Sequence, residues 1–574
     1  MTVDISIRIC GQAGQGIQSI SAAMGKVFIR HGYYVFINND VESRIRGGHN
    51  FDQVRVGHEP VNAVNDKVDL LIALDAETRD ADLPYLKDDG VMIYDDEKPA
   101  TDSKNPHHIP IPLEKLASKA GGSKIMANTV ATGAAFALLK FELQPLQDHL
   151  KEVFGDKGKA VIHQNQTCAE AGYRFVQQHF KGNFPYPLDT GKFQRNKMLL
   201  NGSQAMALGA ICSGLKFYSG YPMSPSTGIM EFIAALGKEH HIIMEPAEDE
   251  ISAVNMVIGA SFAGARAMTA TSGGGFCLMV EALGLAGMTE TPVVVINAQR
   301  PGPSTGLPTR TEQSDLKFTI HAGHGEFPRA VFAPGNAELA FFAVSKAFNL
   351  ADRYQTPVII LTDQHLNDSF STVDGFDLDQ ITIDRGNILN DKDFSSASDY
   401  KRYALDKSGV SPRIIPGRTE AVLYADSDEH TEAGHITESA AVRNRMHKKR
   451  MAKLKGLRKE MNAPEIYPSR KGDIILLGWG STCGALKEAV DQMNSQDMST
   501  RLIHFSEIYP FPECDFSEII SDHTKIISVE NNYSGQFADI FSHETGLAIS
   551  HKILKFDGRP FTAHEIISAV KERL

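Results

Sequence analysis

Apolar and polar residues alternate from Val3 to Ile9, the period of a half-buried strand. The glycine-rich stretch Gly11-Gln-Ala-Gly-Gln-Gly16 follows. Apolar positions then recur at helical spacing through Ile17, Ile20, Met24, Val27 and Phe28. Unbroken runs at Tyr34-Val-Phe-Ile37 and Val91-Met-Ile-Tyr94, and the run Val68-Asp-Leu-Leu-Ile-Ala-Leu74, read as buried strands. Strand, glycine turn, helix and strand predict a doubly wound, Rossmann-like α/β domain over residues 1–185. Prolines and a glycine without periodicity mark a linker over residues 185–194.

A second α/β pattern spans residues 196–375. Its centre is Tyr218-Ser-Gly-Tyr-Pro-Met-Ser-Pro-Ser-Thr227, followed by a helical stretch with Ile229, Phe232, Ile233 and Leu236 on one face. Pro222 and Pro225 forbid regular helix or a paired central strand through this loop. Ser224, Ser226 and Thr227 are N-cap candidates, so a stiff loop delivers hydroxyls and free N–H groups to a helix start. Buried-type strands are expected at Pro292-Val-Val-Val-Ile-Asn297 and Pro357-Val-Ile-Ile-Leu-Thr-Asp363. Residues 376–465 form a less regular connector, in which Arg443 to Lys455 reads as a basic helix with a solvated face. Residues 466–574 repeat strand and helix as a small α/β domain.

Composition removes several classes of function. The chain of 574 residues has a net charge of −12, which argues against a general nucleic-acid binder and against an anionic membrane surface. No apolar run reaches membrane-spanning length, and the first residues alternate like a strand rather than forming a leader. A cytoplasmic location is the expectation. The six cysteines include no CxxC pair, so neither a zinc nor an iron–sulfur site is expected on this chain.

Candidate chemistry gathers in the second segment. Glu248, Asp249 and Glu250 open a Gly/Ala/Ser-rich helix that is apolar nearly all round, as suits tight packing or a subunit interface. Acids there favour the helix dipole, and a buried one suits a proton relay. Ser272-Gly-Gly-Gly-Phe276 reads as a turn where backbone approaches a ligand closely, through Gly273 and Gly274. The strand ending near Arg300 opens onto residues 301–313, where Arg300, Thr309 and Arg310 are placed to bind a carboxylate.

Other motifs leave alternatives open. The first glycine loop is spaced G-x-x-G-x-G rather than as a dinucleotide fingerprint. A tight turn, a phosphate-docking helix start and a nicotinamide site all remain readings of it. Arg44, Arg46 and His49 form a basic cluster that meets an anion or is a solvated loop with local ion pairs. His430, Glu432 and His435 are ligand-like residues at a spacing that fits no strong metal motif.

Taken in order, these motifs resemble the α subunit of a 2-oxoacid:ferredoxin oxidoreductase with its γ domain fused at the N-terminus. Gly11-Gln-Ala-Gly-Gln-Gly16 with Arg44-Ile-Arg-Gly-Gly48 is similar to the γ domain. Tyr221-Pro-Met-Ser-Pro-Ser226 resembles the family's YPITPS. Ala247-Glu-Asp-Glu-Ile251, Thr271-Ser-Gly-Gly-Gly-Phe276, Gly302-Pro-Ser-Thr-Gly-Leu-Pro-Thr-Arg310 and Val529-Glu-Asn-Asn-Tyr-Ser-Gly-Gln536 complete the match.

The resemblance implies a thiamine diphosphate pyrimidine-binding domain over 196–375 and a transketolase C-terminal-like domain over 466–574. It implies oxidative decarboxylation of a 2-oxoacid, with the acyl group passed to coenzyme A and electrons to ferredoxin, in either direction. Thiamine diphosphate would be shared with a β subunit that carries Mg²⁺ and a four-iron four-sulfur cluster, in a dimer of α–β heterodimers. No metal site is expected on this chain, which has neither the Gly-Asp-Gly signature nor cluster cysteines.

By motif match, Glu250 meets the aminopyrimidine, with Glu248 as the rival register. Tyr221, Pro222, Gly273 and Gly274 line the cofactor, and Ser224, Arg300, Thr309 and Arg310 meet the substrate. The fused arrangement and Gly409-Val-Ser-Pro-Arg413 look most like the 2-oxoglutarate branch, with Arg310 or Arg413 holding the second carboxylate. Pyruvate, branched-chain 2-oxoacids and a non-catalytic scaffold are the alternatives.

Overall fold

The alternating N-terminal segment forms the strand Asp4–Ala13, and the chain then enters the helix Ile17–Arg30. The computed structural model describes residues 3–574 except 45–46, 97–104, 106, 183, 191–195, 394–398, 469–471, 518 and 522. Arg46 of the basic cluster and residues 191–194 of the expected linker thus lie outside the described residues. Two compact units are present. One comprises Met1–Leu200, Ser369–Gly375 and Thr562–His564; the other comprises Asn201–Asp368, Phe376–Phe561 and Glu565–Leu574.

The first unit is built on an eight-stranded sheet. Four strands are parallel: the expected Asp4–Ala13, Val68–Ala73 and Leu86–Asp95, and, beyond those expected, His108–Ile111. The other half departs from a doubly wound sheet. Strand Gly47–Gly57 lies between Asp4–Ala13 and Tyr34–Asp40, antiparallel to both. Its alternation is hidden because the inward polar residues are neutralised by partners. Buried Arg55 grips Asp4, and buried Gln53 accepts from Arg8 at 2.8 Å. Strand Phe370–Asp374 joins Tyr34–Asp40 from far along the chain.

The second unit contains a seven-stranded and a five-stranded sheet. Strands Phe217–Gly220, Ile243–Pro246, Ala267–Thr271, Val293–Gln299, Ala330–Phe332 and Pro357–Asp363 are mutually parallel, so their C-terminal ends share one edge. The seventh strand, Glu507–Tyr509, comes from the C-terminal segment and runs antiparallel to Ala330–Phe332. The C-terminal segment is therefore stitched into the middle sheet. Four of the five strands of the smaller sheet are parallel. Among the described residues, no helix is long and apolar enough to cross a membrane.

Two expectations for the connector need correction. The helix Ala440–Glu460 is not simply solvated, because Lys449, Arg450 and Lys453 are buried. Lys449 and Lys453 each lie 2.6 Å from fully buried Glu290, and Arg450 pairs with Glu429 at 2.7 Å. Burial alone would raise the Glu290 carboxyl, but Lys453, Lys449 and Arg402 outweigh it and hold it well below the usual range. Arg413 is likewise committed: it is buried and pairs with Asp352 at 2.6 Å. It is not a free cation for a second substrate carboxylate.

The ligand-like residues of the connector do not gather into a site. His430 is buried against Tyr403, with Nδ1 at 3.0 Å from the Asp428 carbonyl. Glu432 accepts from the Leu405 N–H, and His435 is exposed. Among the described residues, their ligand atoms do not converge on one point.

Candidate active site

Strand Phe217–Gly220 delivers the chain into the loop with Pro222 and Pro225 at the shared edge. Ser226 closes that loop: its N–H and its hydroxyl both donate to the Met223 carbonyl, at 2.9 and 2.7 Å. Ser226 does occupy the N-cap position of helix Thr227–Gly237, but its hydroxyl turns back into the loop and does not cap. Tyr221, Pro222 and Ser224 are exposed, and Met223 is half-buried.

Arg300 follows directly on strand Val293–Gln299 and reaches across to this loop. One guanidinium N–H donates to the Ser224 carbonyl at 2.7 Å. The contact to Ser224 is thus through main chain, which leaves its hydroxyl exposed at the surface. The Arg300 Nε is buried without a hydrogen-bond partner. Burial pulls the Arg300 guanidinium below its ordinary value, and the nearby Glu250 carboxylate opposes that shift.

The three acids separate cleanly. Asp249 is the N-cap of helix Glu250–Phe262 and accepts the Ser252 N–H at 2.7 Å. Glu248 is exposed, whereas Glu250 is 3 % exposed and accepts the Thr271 hydroxyl at 3.3 Å. The helix is not buried all round. Ala253, Val254, Val257, Ile258 and Ser261 face the core, while Ile251 and Met256 are exposed.

The expected turn at Gly273-Gly-Gly is instead the first turn of helix Gly273–Met288, begun by Ser272. A Cβ at Gly275 would overlap the Glu250 Oε1 and Thr271 Oγ1 oxygens, and one at Gly273 would overlap the Asp315 carboxylate. A Cβ at Gly274 would meet nothing closer than the Ser304 carbonyl, at 3.9 Å. Two glycines therefore make room for carboxyls beside a helix N-terminus, where negative charge is favoured. The third leaves an open face. The Ser272 hydroxyl is buried there without a partner.

Asp315 is the residue that motif reading missed. Burial pushes its carboxyl up to about 6, while Asn297 donates to it at 3.3 Å and moderates the shift. Its position depends on the C-terminal motif. The Asn531 N–H donates to Gln313 at 3.0 Å, and Gln536 donates to the Ser314 carbonyl at 2.6 Å. Glu530, fully buried, accepts from the Phe537 and Ala538 N–H groups at 2.9 Å each and so holds that motif. The run from Glu312 to Asp315 directly after the Arg310 loop was the available signal.

Thr309 and Arg310 are half-buried in the loop after Arg300. Arg310 packs beside Gly558, whose added Cβ would lie 3.0 Å from the Arg310 Cβ. The geometry therefore brings Glu250, Thr271, Ser224 and Arg300 into one cluster, and places Thr309 and Arg310 on its adjoining loop. Of the basic cluster in the first unit, exposed Arg44 pairs locally with Glu42 at 3.2 Å, and His49 lies 2.8 Å from buried Asp82.

Three family models cover most of the chain. Residues 208–449 match the thiamine diphosphate-binding domain of pyruvate flavodoxin/ferredoxin oxidoreductase. Residues 6–175 match a pyruvate ferredoxin/flavodoxin oxidoreductase model, and residues 472–566 match core domain II of pyruvate:ferredoxin oxidoreductase. The 2-oxoacid:ferredoxin oxidoreductase subunit alpha of Sulfolobus sp is 33 % identical over 98 % of this chain and 96 % of its own length. The 2-oxoglutarate synthase subunit KorA of Methanothermobacter marburgensis is 30 % identical over 65 % of this chain and 97 % of its own. Among solved structures, a 2-oxoglutarate:ferredoxin oxidoreductase from Magnetococcus marinus, with 2-oxoglutarate, coenzyme A and succinyl-CoA bound, superposes with a TM-score of 0.92. It is 31 % identical and covers 100 % of both chains.

Proposed function

The chain belongs to the α subunits of the 2-oxoacid:ferredoxin oxidoreductases, and we propose that it works on 2-oxoglutarate, forming succinyl-CoA and CO2. It is an oxidoreductase subunit with a thiamine diphosphate-binding domain, and it acts in a multi-subunit complex. The observation that carries the proposal is the buried Glu250 beside Arg300 and Ser224 at the shared strand ends.

Thiamine diphosphate fits these residues: an open face at Gly274 adjoins a buried carboxyl, the unpartnered Ser272 hydroxyl and the unpartnered Arg300 Nε. When bound, it supplies the carbanion that attacks the 2-oxo carbon. Glu250 would be the carboxyl that hydrogen-bonds the aminopyrimidine ring and relays a proton there. Tyr221, Pro222, Gly273 and Gly274 form this chain's wall of the cofactor site. Arg300 binds the carboxylate next to the 2-oxo group, and Ser224 and Thr309 direct hydroxyls at the substrate. Arg310, half-buried on the loop after Arg300, is the cation we assign to the distal carboxylate.

Carbon dioxide leaves, and the two electrons released pass one at a time to two ferredoxins. The succinyl group transfers to the coenzyme A sulfur as the thiol proton is lost. A β subunit carries Mg²⁺ and the iron–sulfur cluster and supplies the other wall. The exposed apolar side chains around the site support this, namely Tyr221, Ile243, Ile251, Met256 and Leu278. The bound ligands of the Magnetococcus marinus neighbour favour 2-oxoglutarate over other 2-oxoacids.

The test is to purify the chain with its β subunit and measure 2-oxoglutarate- and coenzyme A-dependent viologen reduction. Glu250→Gln is expected to lower kcat by about 10²–10⁴-fold with assembly intact, while exposed Glu248→Gln retains near-normal turnover. No reduction with any 2-oxoacid overturns the function, and loss in the Glu248 variant moves the proton role there. Arg310→Gln is expected to raise the KM for 2-oxoglutarate about tenfold, a loss of about 1.4 kcal/mol, with kcat less affected.

A further inference from the structure

The first unit encloses a cavity of about 620 Å³ that shares no residue with the thiamine site. That volume lies in the ordinary range for small-molecule sites. Its walls come from helix Ile17–Arg30 and from the helices Ala127–Leu138, Gln144–Val153 and Lys159–His179. They mix apolar side chains, among them Ile20, Leu146, Leu150 and Phe154, with polar ones.

Among the buried polar side chains in the walls, one nitrogen lacks a hydrogen-bond partner. Thr132 donates to the Asn128 carbonyl at 2.8 Å, Thr129 to the Asn165 side chain at 3.2 Å, and Asn165 to the Val161 carbonyl at 2.9 Å. His149 is 4 % exposed, and its Nδ1 has no hydrogen-bond partner. A buried polar nitrogen left unpaired costs free energy that a ligand atom would recover. Burial, helped by the charges of Lys26 and Arg30, pulls the His149 imidazole down to about 4, so it is neutral at pH 7.

Lys26 and Lys157 both line the cavity and are exposed, and among the described residues neither makes an ion pair. The acid beside His149, Glu152, lies 4.0 Å from its Nδ1 through the carboxylate oxygen that also pairs with Arg30 at 2.7 Å.

We propose that this cavity binds an amphipathic organic anion: an unbranched aliphatic chain among Ile20, Leu146, Leu150 and Phe154, one polar group on His149, and a carboxylate at Lys26 and Lys157. The aliphatic side chains Ile20, Leu146 and Leu150 favour an alkyl chain over a sugar as the main body of the ligand. The two ammonium groups, of which Lys157 also lies 5.5 Å from the centre of the Phe154 ring, disfavour a cationic amphiphile.

The test is calorimetric titration of the whole 574-residue chain with decanoate below its micelle concentration. Saturable binding with one site per chain is expected. Affinity should fall about tenfold or more in Ala22→Phe, which fills the cavity, and likewise in Lys26→Glu/Lys157→Glu, whose changes are at the surface and do not threaten the fold. A decyltrimethylammonium cation should not compete. Non-saturable binding, equal binding by the cation, or unchanged affinity in the lysine variant overturns the proposal. Stoichiometric displacement by coenzyme A also overturns it, because the cavity would then belong to the known substrates.

Discussion

Strand Asp4–Ala13 passes into helix Ile17–Arg30 through Gly11, Gly14 and Gly16, and strand Ala267–Thr271 passes into helix Gly273–Met288 through Gly273, Gly274 and Gly275. On paper the two joints look alike. In the first, Gly14 and Gly16 have φ of +92° and +81°, a region that other residues enter only under strain. In the second, the glycines are ordinary helical residues, and what matters is the space they leave for Glu250, Thr271 and Asp315. Glycine at the first joint serves the backbone conformation as well as clearance, since a Cβ at Gly16 would also overlap the Asn128 side chain. At the second it serves neighbouring carboxyls, which include Glu250 of the proposed site.

The sharpest test of this contrast is Gly275→Ala. Alanine is the better helix former by about 1 kcal/mol, which offsets part of the about 1–3 kcal/mol of overpacking, so the fold should persist with a melting shift of only a few degrees. The added methyl displaces the Glu250 carboxyl, and turnover of the α–β complex should fall about 10²-fold. Normal turnover would break the argument that this glycine is there for clearance. Gly16→Ala should do the reverse. The left-handed φ costs about 1–2 kcal/mol with a side chain, which lowers the melting temperature of the first unit by about 2–8 °C at unaltered kcat. Loss of turnover without a melting change would instead give the first joint a ligand.

A smaller effect is expected in how stability varies with pH. Asp52 is buried beneath the first joint, hydrogen-bonded to Ser21 of its helix. Burial, with the Asp40 carboxylate adding to it, pushes the Asp52 carboxyl up to about 7. An unfolded aspartate titrates near about 3.9, so the folded state holds this proton more tightly. The contribution is therefore complete below about pH 4 and is lost as pH rises through about 7. Asp52→Asn should flatten the fall in melting temperature between pH 5 and pH 8, as followed by circular dichroism. An unchanged slope would show that the Asp52 proton does not govern it.

Much of the fold was legible because burial follows local period. The parallel strands at 68–74, 91–94, 292–297 and 357–363 stand out as apolar runs, and the order of motifs was enough to identify the family. Strand Gly47–Gly57 did not stand out, because its inward Asp52, Gln53 and Arg55 are polar and depend on partners such as Asp4, Arg8 and Ser21. The basic run at 443–455 misled for the same reason: its charge is matched by Glu290 and Glu429, far away in sequence. In the site, Glu250 and Arg300 were found by motif and position. Asp315 was not, because its burial depends on contacts made by residues after 530.

The chain by itself determined the α/β class, the strand-to-helix joints and the set of acids and cations from which a site can be built, because these follow from spacing along one backbone. Only the tertiary structure showed that Glu250 is buried while Glu248 is exposed, that Arg413 is held by Asp352, and that Asp315 is buried beside Gly273. Each of those outcomes depends on which side chain loses water and which distant partner meets it there, and no local pattern encodes that.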